Sequence, residues 1–159
     1  RRTLTALVLA DSAADYAGDD DLELAVSTVA SLGVQAIRDQ REVSVLAGPG
    51  RLRIASPSAL LDDCSAFGVS AAGAGVHLLG RRVAREAPDA SLAVLVTGSV
   101  PDEGDLRVGA QYVPAGARTL VVRCEPGVAV GARTQGLLTL ATLGSLDDLP
   151  RLLRRAVLP

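Results

Sequence analysis

Two patterns of apolar and polar positions alternate along the chain, and together they predict a sheet flanked by helices. Short continuous apolar runs that end in polar or glycine-containing loops indicate strands buried on both faces of a parallel sheet. Apolar residues at spacings of three and four, preceded by acidic or hydroxyl side chains, indicate helices. The predicted strands are Leu4–Ala10, Val43–Ala47, Arg51–Ala55, Leu92–Thr97, Arg118–Cys124 and Gly136–Leu143, and the predicted helices are Leu22–Arg38, Ser56–Phe67, Val76–Glu86, Glu103–Tyr112 and Leu149–Val157.

One pair of predicted strands differs from the rest. Gly48-Pro49-Gly50 joins Val43–Ala47 to Arg51–Ala55, and so short a connector makes an antiparallel hairpin. The segment that follows Glu125 is predicted as a turn. The sequence therefore predicts an α/β domain with a doubly wound, mostly parallel six-stranded sheet, one antiparallel edge strand and helices on both faces. We expect residues 1–159 to form a single domain.

Composition narrows the classes of function. The formal net charge is −2, so the chain lacks a basic footprint and we expect no nucleic-acid partner. The chain contains no lysine, which excludes a Walker A lysine, and its one histidine, His77, leaves little room for a histidine-based triad. Because it begins with Arg1 and contains no methionine, we expect it to be a fragment of a longer chain.

An acidic loop follows the first predicted strand. Asp11 ends the apolar run, and Asp15 and the run Asp19–Asp21 follow it. In open α/β sheets, ligands bind at the carboxyl ends of the strands, so this loop is the main candidate for a functional site. Three interpretations are open: metal binding, chemistry by a pair of carboxylates, or presentation of charge. We favour a structural interpretation over catalysis. In this interpretation, Asp11 caps backbone N–H groups, while Asp15 and Asp19–Asp21 face solvent.

Three other features carry weaker signals. Gly73-Ala74-Gly75 and Gly80 are unlike a dinucleotide-binding fingerprint, because their spacing is wrong and they follow a helix instead of a strand. His77 is interpreted as a packing or capping residue. Cys64 and Cys124 match no metal-ligand spacing, and we expect both to be buried free thiols.

The order of predicted elements resembles that of a von Willebrand factor A-like domain over essentially the whole chain. Three segments are also similar to the C-terminal domain of a bacterial membrane-protein family called domain of unknown function 58. They are DLELAVSTVASLGVQAIRDQREVSVLAG at 21–48, LLDDCSAF at 60–67 and SLDDLPRLLRR at 145–155.

The resemblance to the A-domain family implies a magnesium site, a metal-ion-dependent adhesion site, built from three loops. In this chain the implied positions are Asp11, Ala13, Asp15, Gly75 and Gly98. Mg²⁺ requires oxygen ligands in near-octahedral geometry, and alanine and glycine offer no side-chain ligand. We therefore expect a degenerate site and no cofactor, with no more than weak residual Mg²⁺ binding.

The resemblance to the second family implies a partner and a location. Its members resemble proteins that work with MoxR-type AAA+ ATPases in the assembly or maturation of complexes, and they carry membrane-spanning segments before this domain. We expect a non-catalytic protein-interaction domain at the cytoplasmic face of a membrane, tethered by segments outside this chain. Its expected interaction surface is an acidic face formed by Asp11, Asp15, Asp19, Asp20, Asp21, Asp102 and Glu103. The alternative is a generic α/β hydrolase or nucleotide-binding enzyme that uses the loop of Asp11 and Asp15.

Overall fold

A computed structural model describes residues 4–156, which form a seven-stranded sheet with the order β3-β2-β1-β4-β5-β7-β6. The central strands β2, β1, β4, β5 and β7 are parallel, and β3 and β6 pair antiparallel at the two edges. The strands are β1 Leu4–Leu9, β2 Glu42–Ala47, β3 Gly50–Arg51, β4 Leu92–Thr97, β5 Arg118–Cys124, β6 Gly131–Gln135 and β7 Leu138–Leu143.

Helices cover both faces of this sheet. They are α1 Asp19–Arg38, α2 Pro57–Ala66, α3 Leu79–Glu86, α4 Glu103–Ala110 and α5 Leu149–Ala156, with short 3-10 helices at Ala13–Asp15, Val76–Leu78 and Leu146–Asp148. None of the helices between residues 4 and 156 has the length and hydropathy needed to span a membrane.

Alternate residues of the buried strands divide the core between the two faces. In β1, Leu7 and Leu9 pack with residues of α1, α2 and α5, whereas Ala6 and Val8 pack with residues of α3 and α4. This alternation follows from the pleat of a strand, which points successive side chains to opposite faces. The predicted α/β class, parallel centre and two helical layers are therefore confirmed.

The edges of the sheet depart from the prediction. The sheet has seven strands instead of six and two antiparallel edge strands instead of one. The additional strand, β6 (Gly131–Gln135), lies where a turn was predicted, because its sequence GARTQ has no apolar alternation and its pairing with β7 defines it. The predicted strand Arg51–Ala55 shortens to Gly50–Arg51.

The other boundaries moved by a few residues. The strand predicted from Gly136 begins at Leu138, because Gly136 lies in a turn with a φ of 62°. The helix predicted to Tyr112 ends at Ala110. The predicted end of the last helix, Val157, lies outside the described residues.

Two glycines, Gly80 of α3 and Gly109 of α4, let these two helices lie in close contact. A Cβ atom at Gly80 would lie 2.2 Å from the carbonyl oxygen of Gly109, and a Cβ atom at Gly109 would lie 2.7 Å from the carbonyl oxygen of Val76. Such distances are far below van der Waals contact, so α3 and α4 approach each other through backbone. Small residues thus set the spacing of this layer.

Arg82 of α3 fixes the β2–β3 hairpin to the domain. Its side chain is only 9% exposed, and its guanidinium donates to the carbonyl oxygens of Gly48 at 2.7 Å and Gly50 at 2.9 Å. The same group pairs with Glu86 at 2.6 Å. A buried guanidinium is stable only when its donors are satisfied, and here the partners are the two carbonyls and one carboxylate.

We predict that Arg82→Ala lowers the free energy of unfolding by about 2 kcal/mol, because it removes a buried guanidinium and leaves the carbonyl groups of the hairpin and the partly buried carboxylate of Glu86 without their donor. Urea unfolding followed by circular dichroism measures this change. Arg85→Ala is the matched control, since Arg85 lies on the same helix with 71% of its side chain exposed and only a 3.8 Å contact to the same Glu86. Equal losses for the two variants would contradict a special role for Arg82.

Candidate functional site

Three loops meet at the carboxyl ends of β1 and β4. The first loop comprises residues 10–18, the second residues 68–75 and the third residues 98–102. Backbone hydrogen bonds join them: Asp11 N–H donates to the Ala74 carbonyl at 2.9 Å, Ala13 N–H to the Ser70 carbonyl at 2.9 Å and Val100 N–H to the Asp15 carbonyl at 3.2 Å. The first loop therefore lies between the other two and contacts both.

Asp11 holds the second loop against β1. Its half-buried carboxylate accepts the N–H of Ala74 at 2.8 Å, and a backbone bond from Ser70 to the Asp11 carbonyl at 3.0 Å reinforces the contact. A Cβ atom at Gly73 would lie 2.1 Å from the Asp11 carbonyl oxygen, so the approach needs glycine. The predicted capping role of Asp11 is confirmed.

Asp15 faces the interior, and the prediction that it faces solvent is wrong. The 3-10 helix Ala13–Asp15, capped by the hydroxyl of Ser12, turns its side chain inward. Its carboxylate accepts the N–H of Val76 at 2.8 Å and the hydroxyl of Thr97 at 2.6 Å. Asp15 is thereby a buried link between the first loop, the helix after the second loop and the end of β4.

Asp21 is also buried, contrary to the prediction that Asp19–Asp21 all face solvent. Its carboxylate accepts the N–H groups of Ala17, Gly18 and Leu22 at 2.8, 3.0 and 3.0 Å, which caps the start of α1. It also accepts the N–H and the hydroxyl of Ser99 at 3.0 and 2.8 Å. The start of α1 is thus fixed to the third loop.

The hydrogen bonds to Asp21 control its ionisation. Burial on its own would raise the pKa of the carboxyl group, but the donors from Ser99, Ala17 and Gly18 outweigh burial and hold the pKa below its usual value. The ionised form is therefore the one that the fold stabilises.

Tyr16 completes the junction, and the sequence analysis did not identify it. Its hydroxyl donates to the Ala10 carbonyl at 2.6 Å, and burial raises the pKa of the phenol well above its usual value. A Cβ atom at Gly98 would lie 2.5 Å from Cδ1 of the Tyr16 ring and 2.4 Å from the Asp15 carbonyl oxygen. The available signal was that one of only two tyrosines lies in the acidic loop that follows the first strand.

The five positions of the implied magnesium site do not supply an octahedral set of ligands. Ala13 has no ligand atom, and Asp15 directs its carboxylate to Thr97 and Val76. At Gly75 a Cβ atom would lie 2.8 Å from Oδ1 of Asp15, and the space at Gly98 is filled by Tyr16, so longer oxygen-bearing side chains do not fit there. Among residues 4–156, no group of three or more His, Cys, Asp or Glu side chains is arranged to hold a metal ion.

The remaining acidic residues of the predicted interaction surface are exposed. Asp19 and Asp20 lie in the first turn of α1, and Asp102 and Glu103 lie at the start of α4. Asp102 caps α4 by accepting the N–H of Asp105 at 2.9 Å, and Glu103 pairs with Arg133 at 2.9 Å. We define the carboxylate rim as Asp11, Asp19, Asp20, Asp102 and Glu103, which leaves out the buried Asp15 and Asp21.

Two of the weaker sequence signals have different outcomes. His77 is exposed in the 3-10 helix after the second loop, and its side chain makes no hydrogen bond within residues 4–156, so the interpretation of it as a packing or capping residue is wrong. Cys64 and Cys124 are buried free thiols, as predicted. Burial raises the pKa of Cys124 to about 12, and its Sγ lies 3.9 Å from the hydroxyl of Thr28.

We predict that Asp21 contributes to stability in a pH-dependent way. Because its folded-state pKa is depressed, its contribution is fully present above the unfolded-state pKa of about 3.9 and is lost as the pH falls through the folded-state pKa. Asp21→Asn should therefore lower the free energy of unfolding most above about pH 5, with a difference that narrows toward pH 2. Urea unfolding across this range measures it. Asp20→Asn, an exposed neighbour in the same helical turn, is the control, and a pH-independent difference for Asp21→Asn would contradict the assignment.

We predict that the domain does not bind Mg²⁺ or Mn²⁺ with micromolar affinity, because three of the five implied positions lack side-chain oxygens and the carboxylates of Asp11 and Asp15 already accept protein hydrogen bonds. Isothermal titration calorimetry with either chloride salt measures this directly. Micromolar binding that Asp11→Ala abolishes would refute the prediction.

Comparison of the sequence with protein-family models gives no match, and comparison with curated proteins gives none either. The structure is similar to that of a von Willebrand factor type A protein from Catenulispora acidiphila, with a TM-score of 0.54 and 13% sequence identity. The similarity covers 99% of this chain and 42% of the other, so the chain spans less than half the length of that protein. At this identity the similarity establishes the fold alone: the chain has a von Willebrand factor A-like fold.

Proposed function

We propose that this domain is a non-catalytic protein-interaction module that presents the carboxylate rim to a partner with a basic surface. The observation that carries the proposal is the division of the acidic residues into two sets. Asp15 and Asp21 are buried and engaged by internal hydrogen bonds, whereas four carboxylates of the rim are exposed and the fifth, Asp11, is half-buried. The buried set fixes the loops that carry the exposed set.

Internal contacts connect the two elements that carry the exposed carboxylates of the rim. Ser99 of the third loop is bonded to Asp21 in the first turn of α1, directly beside Asp19 and Asp20. The third loop then leads within a few residues to Asp102 and Glu103 at the start of α4. Helix N-termini tolerate such carboxylates because of their positive dipole ends.

A fixed acidic surface suits association with a basic partner. Loops that are already ordered lose little conformational freedom on binding, so less of the interaction energy is spent on ordering them. Exposed charges of one sign steer an oppositely charged partner and raise the association rate. The ion pair of Glu103 with Arg133 is exposed, so it contributes little stability and can exchange for contacts with a partner.

The finer proposal rests on the sequence resemblance. It assigns the partner as a MoxR-type AAA+ ATPase and the location as the cytoplasmic face of a membrane, with the tether in segments outside this chain.

Catalysis by Asp11 and Asp15 is the weaker proposal, because each carboxylate already accepts a backbone N–H in the manner of a structural cap.

We predict that reversing charge on the rim weakens capture of the partner. Asp20→Lys combined with Asp102→Lys should lower the affinity for a MoxR-type AAA+ ATPase about tenfold, mainly through a slower association rate. Biolayer interferometry at two salt concentrations measures both quantities.

The matched control for this experiment is the double variant Asp62→Lys and Asp89→Lys. Both residues are exposed, on α2 and on the loop before β4, and this double variant changes the net charge by the same amount. Equal effects of the two double variants would show that net charge acts instead of the rim, and the proposed surface would then be wrong.

A further inference from the structure

The connection between β5 and β7 contains no helix. These strands are parallel neighbours, and such strands are usually joined by a helical crossover. Here residues 125–137 instead form β6, which runs antiparallel on the outer side of β7. No helix follows α4 on its face of the sheet in the described residues, so β7 and β6 are left partly uncovered there.

A groove occupies this uncovered strip. Three adjoining cavities of about 650, 300 and 410 Å³ follow β6 and β7. The second and third lie beside α4, and the first reaches from α4 to Arg155 of α5. The first and second share Arg133 and Leu140, and the second and third share Gln135 and Leu138, so they form one continuous channel. The channel follows β6 from Gly131 to Gln135.

β6 is also the accessible edge of the sheet. It pairs with β7 alone, so alternate backbone N–H and C=O groups along its outer side are open to a further strand. The opposite edge is blocked, because β3 has only two residues and Arg82 occupies the carbonyls of Gly48 and Gly50 beside it. β6 has five residues, of which Arg133 alone is charged.

Arginines surround this edge. Arg107, Arg123, Arg133 and Arg155 line the first two cavities, against the two carboxylates Asp102 and Glu103. Arg123 is held in place by the Ser99 carbonyl at 3.1 Å and by Glu125 at 3.1 Å. Within residues 4–156, the side chains of Arg107 and Arg155 make no hydrogen bond or ion pair, so they are available to a ligand.

The arginines come from both sides of the sheet. Arg107 lies on α4, whereas Arg155 lies on α5, which covers the opposite face and packs against β6. A strand added beside β6 would direct its side chains alternately to the two faces. Acidic side chains would then meet Arg107 and Arg133 on one face and Arg155 on the other.

We propose that β6 is a docking edge for an extended acidic segment of a partner protein, which adds to the sheet as a further strand. Main-chain hydrogen bonds to β6 supply the pairing, and carboxylates bound by Arg107, Arg133 and Arg155 supply the selectivity. A helix bound in the groove would not pair with the outer N–H and C=O groups of β6, whereas an extended segment beside β6 would. An extended segment is therefore the better occupant. This surface selects acidic ligands, in contrast to the carboxylate rim. The two surfaces adjoin at Asp102 and Glu103, but strand pairing to β6 does not depend on the function proposed for the rim.

The test uses a short blocked peptide of alternating threonine and glutamate as the probe, titrated into ¹⁵N-labelled protein. Saturable amide shifts should appear at residues 131–135, and the peptide with lysine in place of glutamate should bind about tenfold more weakly. Arg107→Glu and Arg155→Glu should each weaken binding of the glutamate peptide about threefold. Arg85→Glu, at an exposed arginine of α3, is the control and should leave binding unchanged.

Four results would overturn the proposal. The first is the absence of amide shifts at millimolar peptide, and the second is equal binding of the glutamate and lysine peptides. The third is a set of shifts confined to α4, with the β6 amides unchanged. The fourth is a set of β6 amide shifts that depend on protein concentration in the absence of peptide. The third would indicate a ligand in the groove, and the fourth a second copy of the chain at the edge. The single variant Asp20→Lys changes the rim at a residue that lines none of the three cavities, so it should retain peptide binding, and failure of the rim proposal and failure of this one are distinguishable.

Discussion

The structure around the candidate site depends on the need to satisfy buried carboxylates. A carboxylate removed from water is tolerated only when hydrogen bonds or cations replace its hydration. For Asp15 the donors come from Val76 and Thr97, and for Asp21 they come from Ala17, Gly18, Leu22 and Ser99. Because these donors lie in separate loops, satisfying the two carboxylates also fixes the loops relative to one another.

This constraint determines which residues the loops can contain. The carboxylate of Asp15 and the ring of Tyr16 occupy the space beside Gly75 and Gly98, and a Cβ atom at either position would collide with them. The junction therefore has only glycine hydrogens at these two positions, and direct hydrogen bonds to Asp15 and Asp21 connect the loops.

Much of the fold could be predicted from the sequence, because it depends on apolar runs that are visible one segment at a time. The buried parallel strands and the helices behind them are of this kind. β6 was missed because Arg133 and Gln135 give it no apolar pattern, and only pairing with β7 makes it a strand. The roles of Asp15 and Asp21 were missed for a related reason, since their partners Thr97 and Ser99 are distant in sequence and unremarkable as residue types. Local patterns predict elements, but contacts between loops appear only in three dimensions.

The helix-free connection between β5 and β7 also bears on how the chain folds. Pairing β1 with β4 closes a loop of residues 10–91, whereas pairing β5 with β7 closes only residues 125–137. On loop length alone, the shorter closure costs about 1.6 kcal/mol less conformational entropy. β6 and β7 are in addition joined by a tight turn at Gly136, whose φ is 62°. The C-terminal strands therefore pair across a short loop, whereas the junction of loops around Asp15 depends on pairing between strands that are distant in the chain.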